Sequence, residues 1–190
     1  MSIIKKVPEL TYKYVGDSIT VNGLTHIDIQ YQFANYDLIN KLFKKDPKKA
    51  TFLKFLDKRY IGVILFKDDK WITHSWMTTP NTSLPPHLPF TLKKLQSYWL
   101  FYSHTINEYR GNGLYKVSLQ ILINKAYEIE GNRTVIIFAD TEANNIGPRH
   151  TLLSLGFKPC GVIDRYYFNL PKMRKVNWGT WNKNTFHPDF

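Results

Sequence analysis

The sequence predicts an α+β domain in which a mostly antiparallel sheet comes first and one parallel strand–helix–strand crossover follows. Three observations favour this fold class. A chain of 190 residues with 43% hydrophobic residues can bury one substantial core. Residues 60–66 and 71–77 are apolar or alternating segments joined by a short charged turn, which is typical of a hairpin. Residues 113–130 carry apolar side chains at helical spacing and lead into an apolar strand.

The first half of the chain is predicted to contain a strand, two helices and the hairpin. Asn35 and Asp37 offer N-caps to the first helix, and Asp46 followed by Pro47 at the first helical position begins the second. Four prolines restrict residues 80–89 to a loop. The strand is predicted at residues 24–33. The first helix is predicted to end at residue 44 and the second at residue 57.

The second half is predicted to alternate strands with helices. Residues 97–106 are rich in aromatic side chains and favour a strand, and Gly131 ends the long helix that follows. Residues 134–139 form a continuous apolar run, as in strands that are buried on both faces. Pro148 and Gly156 bracket a short helix, after which residues 157–170 return as a strand or hairpin.

Composition and charge exclude several classes of protein. Cys160 is the single cysteine, so we expect neither a disulfide framework nor a thiolate zinc site, and no metal. The longest apolar run is far shorter than the roughly 20 residues that span a bilayer, so we expect a soluble, cytoplasmic protein. The net charge is +11, and eight basic residues lie within residues 41–59. That segment is either a solvated helix face or a recognition surface for an anionic second substrate.

A glycine-containing loop joins the strand at 97–106 to the long helix. Its residues are Glu108, Tyr109, Arg110, Gly111, Asn112, Gly113 and Leu114. Backbone N–H groups in such a loop can surround an anion at the positive end of the helix dipole, and glycines let a phosphate approach the backbone closely. Arg110 adds a fixed positive charge.

These residues resemble the phosphate loop of the GNAT (GCN5-related) N-acetyltransferases, which reads Arg/Gln-x-x-Gly-x-Gly/Ala. Asn145, eleven residues before the Gly156-Phe157 pair, matches a second element of that family. The resemblance implies a GNAT fold with helices on both faces of the sheet and a splay between the fourth and fifth strands, here residues 97–106 and 134–139. It implies acetyl-CoA as co-substrate, bound by the following residues: Thr105, Ile106, Arg110, Gly111, Asn112, Gly113, Leu114, Tyr115 and Asn145.

The sequence departs from the family pattern at two positions. Tyr115 stands where the loop usually ends on a small residue, so either the helix begins farther from the phosphates or the ring stacks beside them. Leu152 stands where a tyrosine often serves as general acid, and leucine cannot donate a proton. A CoA-binding homologue without catalytic activity is therefore one alternative function.

The resemblance implies direct attack of an amine on the thioester, which needs a proton acceptor rather than a side-chain nucleophile. His104 and His74 are the catalytic candidates, because histidine titrates near neutral pH. Asp140 and Glu142 at the end of the fifth strand are further candidates, and a water relay is also consistent. A bulge is common at this place in the family, and it would change which side chains face the gap.

The acceptor is less constrained by the sequence than the donor. The loop at 80–89, with His87, and the aromatic residues at 98–102 suit a sugar or apolar amine, and we favour a nucleotide-linked amino sugar. The rival function is a basic nucleic-acid-binding module, because residues 41–59 are strongly basic and residues 165–183 interleave basic and aromatic side chains. We expect one domain over residues 1–190, with an extension at 1–24 and a tail at 171–190, and neither a nucleic-acid nor a membrane partner. A homodimer is left open.

Overall fold

The computed structural model describes residues 4–21, 28–131, 133–168, 176–185 and 187–188. Eight strands in this part of the chain form one mixed sheet with the order β2-β3-β4-β5-β6-β1-β7-β8. Their bounds are β1 Ile4–Tyr14, β2 Gln30–Phe33, β3 Ile61–Lys67, β4 Lys70–Thr78, β5 Tyr98–Thr105, β6 Ile137–Glu142, β7 Phe157–Phe168 and β8 Val176–Lys183. Among the strands described here, β5 and β6 pair in parallel and the other neighbours pair antiparallel.

In the described residues, four α-helices cover the two faces of this sheet. Their bounds are α1 Tyr36–Leu42, α2 Lys49–Asp57, α3 Leu114–Glu130 and α4 Ile146–Ser154. Side chains of α3 and α4 join one hydrophobic cluster on what we call the α3 face. Side chains of α1 and α2 join a second cluster on the opposite, α1–α2 face. The predicted α+β fold with helices on both faces and one parallel crossover, β5-α3-β6, is confirmed.

Several helix ends follow the predicted capping chemistry. Asn35 caps α1, its side chain accepting from the amide of Leu38 at 2.8 Å. Gly131 ends α3 with a φ of 62°, a conformation that favours glycine. The prediction that Asp46 caps α2 directly was wrong, because Asp46 accepts from the Lys48 amide at 2.8 Å in a turn and α2 begins at residue 49.

Three further predicted bounds differ from the structure. The strand predicted at residues 134–139 begins at Ile137 and runs to Glu142, because its first half continues the loop after α3. The short helix begins at Ile146, two residues before Pro148. The strand predicted at residues 24–33 is present as β2 at residues 30–33, and residues 22–27 lie outside the described part of the chain.

Two strands of the sheet lie in segments to which the sequence analysis assigned none. β1 is inserted between β6 and β7 and pairs with both of them, so residues 4–14 are central to the sheet. β8 forms the edge of the sheet beside β7. The insertion of β1 matters for the site, because it brings Glu9 beside the end of β6.

Candidate functional site

A wedge-shaped gap opens in the sheet where β5 and β6 separate. The two strands pair only at three positions, the last of which joins Leu100 to Ala139. Beyond this pair both strands continue, and a cleft of about 1110 Å³ is lined by the residues on either side. The predicted splay between these two strands is confirmed, and it exposes backbone groups that a regular sheet would pair.

A β-bulge in β5 shapes one wall of this cleft. His74 of β4 lies opposite His104, whereas Trp76 lies opposite Phe101, so β5 carries one extra residue. Tyr102 absorbs the irregularity with a φ of 49°, and its carbonyl lies 3.1 Å from Nδ1 of His74. As a result, the neighbouring rings of Phe101 and Tyr102 both pack against Phe55 on the α1–α2 face.

The loop between β5 and α3 forms the wide end of the cleft. Gly111 and Gly113 have φ angles of 81° and 72°, which favour glycine and turn the backbone toward the start of α3. Nε of Arg110 donates to the Thr105 carbonyl at 3.1 Å, and Nδ2 of Asn112 donates to the Tyr109 carbonyl at 3.2 Å. These bonds fix the loop while the amides of the first turn of α3 remain available to a ligand.

Seven of the nine predicted cofactor-binding residues line the cleft: Thr105, Arg110, Gly111, Gly113, Leu114, Tyr115 and Asn145. Asn112 lies outside it and closes the loop. Ile106, the ninth predicted residue, does not line the cleft, and its amide donates to the Ile72 carbonyl of β4 at 3.0 Å. Since amides alternate between the two edges of a strand, the Thr105 amide is directed to the open edge instead.

The two predicted catalytic histidines lie in different environments. His104 lines the cleft, half-buried, and burial together with Lys48 and Arg110 lowers its pKa. His74 is only 1% exposed, does not line the cleft and packs between Phe52 and Trp71. Burial and the neighbouring His104 lower the pKa of His74 to about 3. Both rings are therefore neutral at pH 7, but only His104 is placed to meet a ligand.

The residues that depart from the family pattern have clear structural positions. Tyr115 and Ser103 of β5 both line the cleft, so the Tyr115 ring forms part of the cleft wall, and burial raises the pKa of its hydroxyl. Leu152 is fully buried in the cluster on the α3 face, so the position gives the cleft no proton donor. Cys160 packs with the cluster on the α1–α2 face, away from the cleft, where burial raises its pKa.

A group of charged side chains lies on the β6 side of the cleft, facing the α1–α2 face. Nε2 of His87 lies 3.3 Å from Oδ2 of Asp140, and the indole N–H of Trp99 donates to Oδ1 of the same carboxylate. Arg165 contacts Glu9, and its Nη2 lies 2.9 Å from Oε1 of Glu142. The sequence predicts His87 on the acceptor side and Asp140 and Glu142 as candidate bases, whereas no pattern in the sequence indicates Glu9.

The pKa values of the two central carboxyl groups in this group are shifted in opposite directions. Glu9 is 2% exposed, and burial together with Asp140 raises its pKa to about 9. Burial also opposes ionisation of Asp140, but His87, Trp99 and Glu9 outweigh it and lower the pKa of Asp140. At neutral pH a protonated Glu9 therefore lies beside an ionised Asp140.

Solved structures with the same arrangement of strands and helices carry GNAT names. A GCN5-related N-acetyltransferase-like protein from Streptococcus suis matches with a TM-score of 0.58 and 12% identity, covering 86% of this chain and 61% of that one. A tandem GNAT protein from the clavulanic acid biosynthesis pathway matches with a TM-score of 0.57 and 9% identity, covering 95% and 55%. The chain has the GNAT fold. A GNAT-family acetyltransferase from Colwellia psychrerythraea matches with a TM-score of 0.51 and 14% identity, covering 82% and 53%.

The chain with this GNAT fold spans about 60% of the length of the first two solved structures that it matches. No protein-family model and no curated protein sequence matches it. Within the described ranges, no helix has both the length and the apolar character that crossing a membrane requires.

The basic segment at residues 41–59 lies on α1, α2 and the turn between them, at one side of the GNAT fold. Nζ of Lys41 pairs with Asp69 at 2.6 Å, and Nζ of Lys48 lies 4.9 Å from the ring centroid of Trp71. These contacts account for part of the positive charge of the segment. Whether the segment is a solvated face or a recognition surface for an anionic second substrate stays a prediction.

Proposed function

We propose that the protein is an N-acetyltransferase that moves an acetyl group from acetyl-CoA to the amine of a small molecule by direct attack in a ternary complex. The observation that carries the proposal is the continuous cleft between β5 and β6, whose wide end is the glycine loop at the start of α3. A pyrophosphate suits free amides at a helix N-terminus, and an extended pantetheine arm suits the unpaired edge of a strand. The GNAT fold supports the same assignment.

In this proposal the donor lies along β5. The pyrophosphate binds at the amides around Gly113, with Arg110 beside it, and the arm follows the strand past the Thr105 amide toward the narrow end at Leu100. Asn145, which begins α4 on the opposite wall, contacts the arm from the other side. The thioester then lies between β5 and β6, beside the charged group on β6.

The acceptor amine attacks the thioester carbonyl carbon, forming the new C–N bond. The resulting oxyanion is stabilised by amides at the open edge of β5, and it collapses by breaking the C–S bond to release CoA. His104 accepts the proton that the amine loses, because its ring faces the cleft and is neutral at pH 7. His74 acts as a positioning residue, since its hydrogen bond to the Tyr102 carbonyl stabilises the bulge that directs His104.

The acceptor enters from the α1–α2 face, and we retain a nucleotide-linked amino sugar as the favoured class. The ring of Tyr102 is 46% exposed on the cleft wall and offers a stacking surface to a sugar or base. The loop with His87 covers the other side. The basic residues at 41–59 lie outside the cleft lining, so they would meet a diphosphate only where it extends beyond the cleft toward the α1–α2 face.

A screen of acceptors with detection of released CoA thiol tests this function. The panel contains nucleotide-linked amino sugars, the same amino sugars without the nucleotide, a diamine and a peptide amine. We expect thiol release that depends on both acetyl-CoA and a nucleotide-linked amino sugar. Release with only the diamine or peptide would contradict the acceptor class, and no release with any amine despite tight CoA binding would favour the non-catalytic alternative.

A further inference from the structure

Three residues from distant parts of the chain place metal-ligating atoms close together in the cleft wall. Glu9 belongs to β1, His87 to the proline-rich loop and Asp140 to the end of β6, and one ligand atom from each lies within 4.8 Å of the other two. The distance between Nε2 of His87 and Oδ2 of Asp140 is 3.3 Å. Two ligands of a tetrahedral ion with bonds of about 2.0 Å are separated by about 3.3 Å, so this pair already has the required spacing.

Each carboxylate has a second contact that directs it inward. Trp99 donates its indole N–H to Oδ1 of Asp140, and Arg165 contacts Oε1 of Glu9. The other oxygen of Glu9, Oε2, is buried and has no hydrogen-bond partner among the described residues. Outer contacts of this kind orient the ligands in metal sites, and a buried carboxylate oxygen without a donor is satisfied either by a proton shared with Asp140 or by a cation.

The charges of the group also favour a cation at this point. The side chains of Glu9 and Asp140 are 3% and 8% exposed and lie beside each other, and two ionised carboxylates so close together repel unless a cation lies between them. Arg165 balances only part of the negative charge of Glu9 and Asp140, because it also pairs with Glu142. A divalent ion between the carboxylates would remove the repulsion and give the free Oε2 a partner.

We propose that Glu9, His87 and Asp140 bind a divalent transition-metal ion, for which Zn²⁺ is the best match, with a fourth position open to the cleft. An imidazole with two carboxylates is a donor set that Zn²⁺ accepts, whereas Mg²⁺ and Ca²⁺ prefer six or more oxygen ligands. Three protein ligands with an open fourth position is the arrangement of zinc sites that bind a substrate or water. The sequence had predicted no metal, because these ligands share no local spacing.

Calorimetric titration of ZnCl₂ into chelator-treated full-length protein tests this site without any measurement of activity. We expect one ion per chain, and the same site should take up Co²⁺ with the visible absorption of tetrahedral coordination. His87→Ala and Glu9→Gln should each weaken zinc binding by more than about 100-fold, because loss of a ligand exceeds the 10- to 100-fold effect of an outer contact. Trp99→Phe, which removes only an outer contact, should weaken it by about 10-fold.

His150→Ala is the matched control, because His150 is exposed on α4 and lies outside the group. It should bind zinc as the unaltered protein does. Circular dichroism of each variant verifies that the fold is retained. Absence of a one-to-one heat of binding would overturn the proposal in favour of a proton shared by Glu9 and Asp140. Equal zinc binding by the unaltered protein, His87→Ala and Glu9→Gln would overturn it in favour of adventitious sites.

Discussion

The imidazole rings of His74 and His104 stack with their centroids 6.0 Å apart and their planes 24° from parallel. Because the rings lie side by side on β4 and β5, a positive charge on one raises the free energy of charging the other. Both pKa values are lowered, so both rings are neutral at pH 7. For His104 the causes are burial, Lys48 and Arg110, and the neutral ring can accept a proton from the acceptor amine, as the proposed reaction requires.

Replacement of His104 by glutamine should remove the proton acceptor while leaving the donor site intact. We expect His104→Gln to lower kcat by about 10²- to 10⁴-fold, the usual contribution of general base catalysis, without changing the Kd for acetyl-CoA. Steady-state thiol release and calorimetry measure the two quantities. His150→Gln, on the exposed side of α4, is the control. A kcat within threefold of the unaltered enzyme would show that the base lies elsewhere in the cleft.

His74 should make the protein sensitive to acid. Its folded-state pKa of about 3 lies below the value of about 6.5 in an unfolded chain, so the unfolded state binds the proton more tightly. The free energy of unfolding should thus fall as the pH decreases from about 6.5, by up to about 1.4 kcal/mol per pH unit.

Urea denaturation at pH 7, 6, 5 and 4.5 measures this dependence, and the comparison is with His74→Phe, which fills similar space without titrating. The variant loses the hydrogen bond to Tyr102, so its stability at pH 7 should be lower, but its slope between pH 6 and 4.5 should be smaller. Parallel loss of stability in the two proteins would assign the acid sensitivity to other groups.

Substitution of two glycines with positive φ distinguishes a loss of acetyl-CoA binding by the phosphate loop from a loss of stability caused by backbone strain alone. Gly113 and Gly131 begin and end α3 with φ angles of 72° and 62°, and a Cβ on either would meet open space. Alanine at each position should cost about 1 to 2 kcal/mol of stability or more, because an L-residue is strained there.

Only Gly113→Ala should impair the donor site, because only Gly113 lies at the cleft. If the loop releases the strain by shifting its amides, affinity for acetyl-CoA should fall about tenfold, the equivalent of about 1.4 kcal/mol. Thermal denaturation and calorimetry of both variants make the comparison. Equal acetyl-CoA affinity for Gly113→Ala and Gly131→Ala would mean that the loop amides do not hold the ligand.

Tyr115→Phe should distinguish a ring that forms the cleft wall from one that stacks on the phosphates. The Tyr115 hydroxyl is buried beside Ser103, so loss of a hydrogen bond between the two side chains should cost about 0.5 to 1.5 kcal/mol of stability, as measured by denaturation. The aromatic ring remains in the variant, so acetyl-CoA affinity should change by less than threefold. A larger loss of affinity with unchanged stability would indicate that the hydroxyl contacts the ligand.

The second half of the fold was largely predictable because its signals are local. Gly131 and Gly156 end helices at the predicted positions, since glycine tolerates the positive φ that follows a helix. β1 was not predicted, because the local signals in its sequence do not indicate a strand. Its sequence contains Pro8 and the charged Glu9, which argue against a buried strand locally, and only pairing with β6 and β7 explains its place in the sheet.

The part of the site that one contiguous segment forms was predictable from the sequence, and the parts that distant segments form together were not. The loop from Arg110 to Gly113 is contiguous, so its residues and spacing indicated an anion site directly. The positions of His74 and His104 depend on the bulge at Tyr102. The bulge interrupts the alternation of side chains between the two faces of β5, and counting every second residue in the sequence does not reveal this interruption. Glu9 and Asp140 are 131 positions apart, and only the insertion of β1 brings them together.

Calorimetric titration of acetyl-CoA into the protein tests the central claim most directly. The account predicts one molecule bound per chain, and Arg110→Ala should weaken binding by about 10- to 100-fold, because a hydrogen bond to a charged group contributes about 1.5 to 3 kcal/mol. Lys158→Ala, which removes an exposed charge away from the cleft, should bind as the unaltered protein does. Absence of acetyl-CoA binding, or equal affinity for all three proteins, would contradict the claim that the cleft between β5 and β6 is a CoA site.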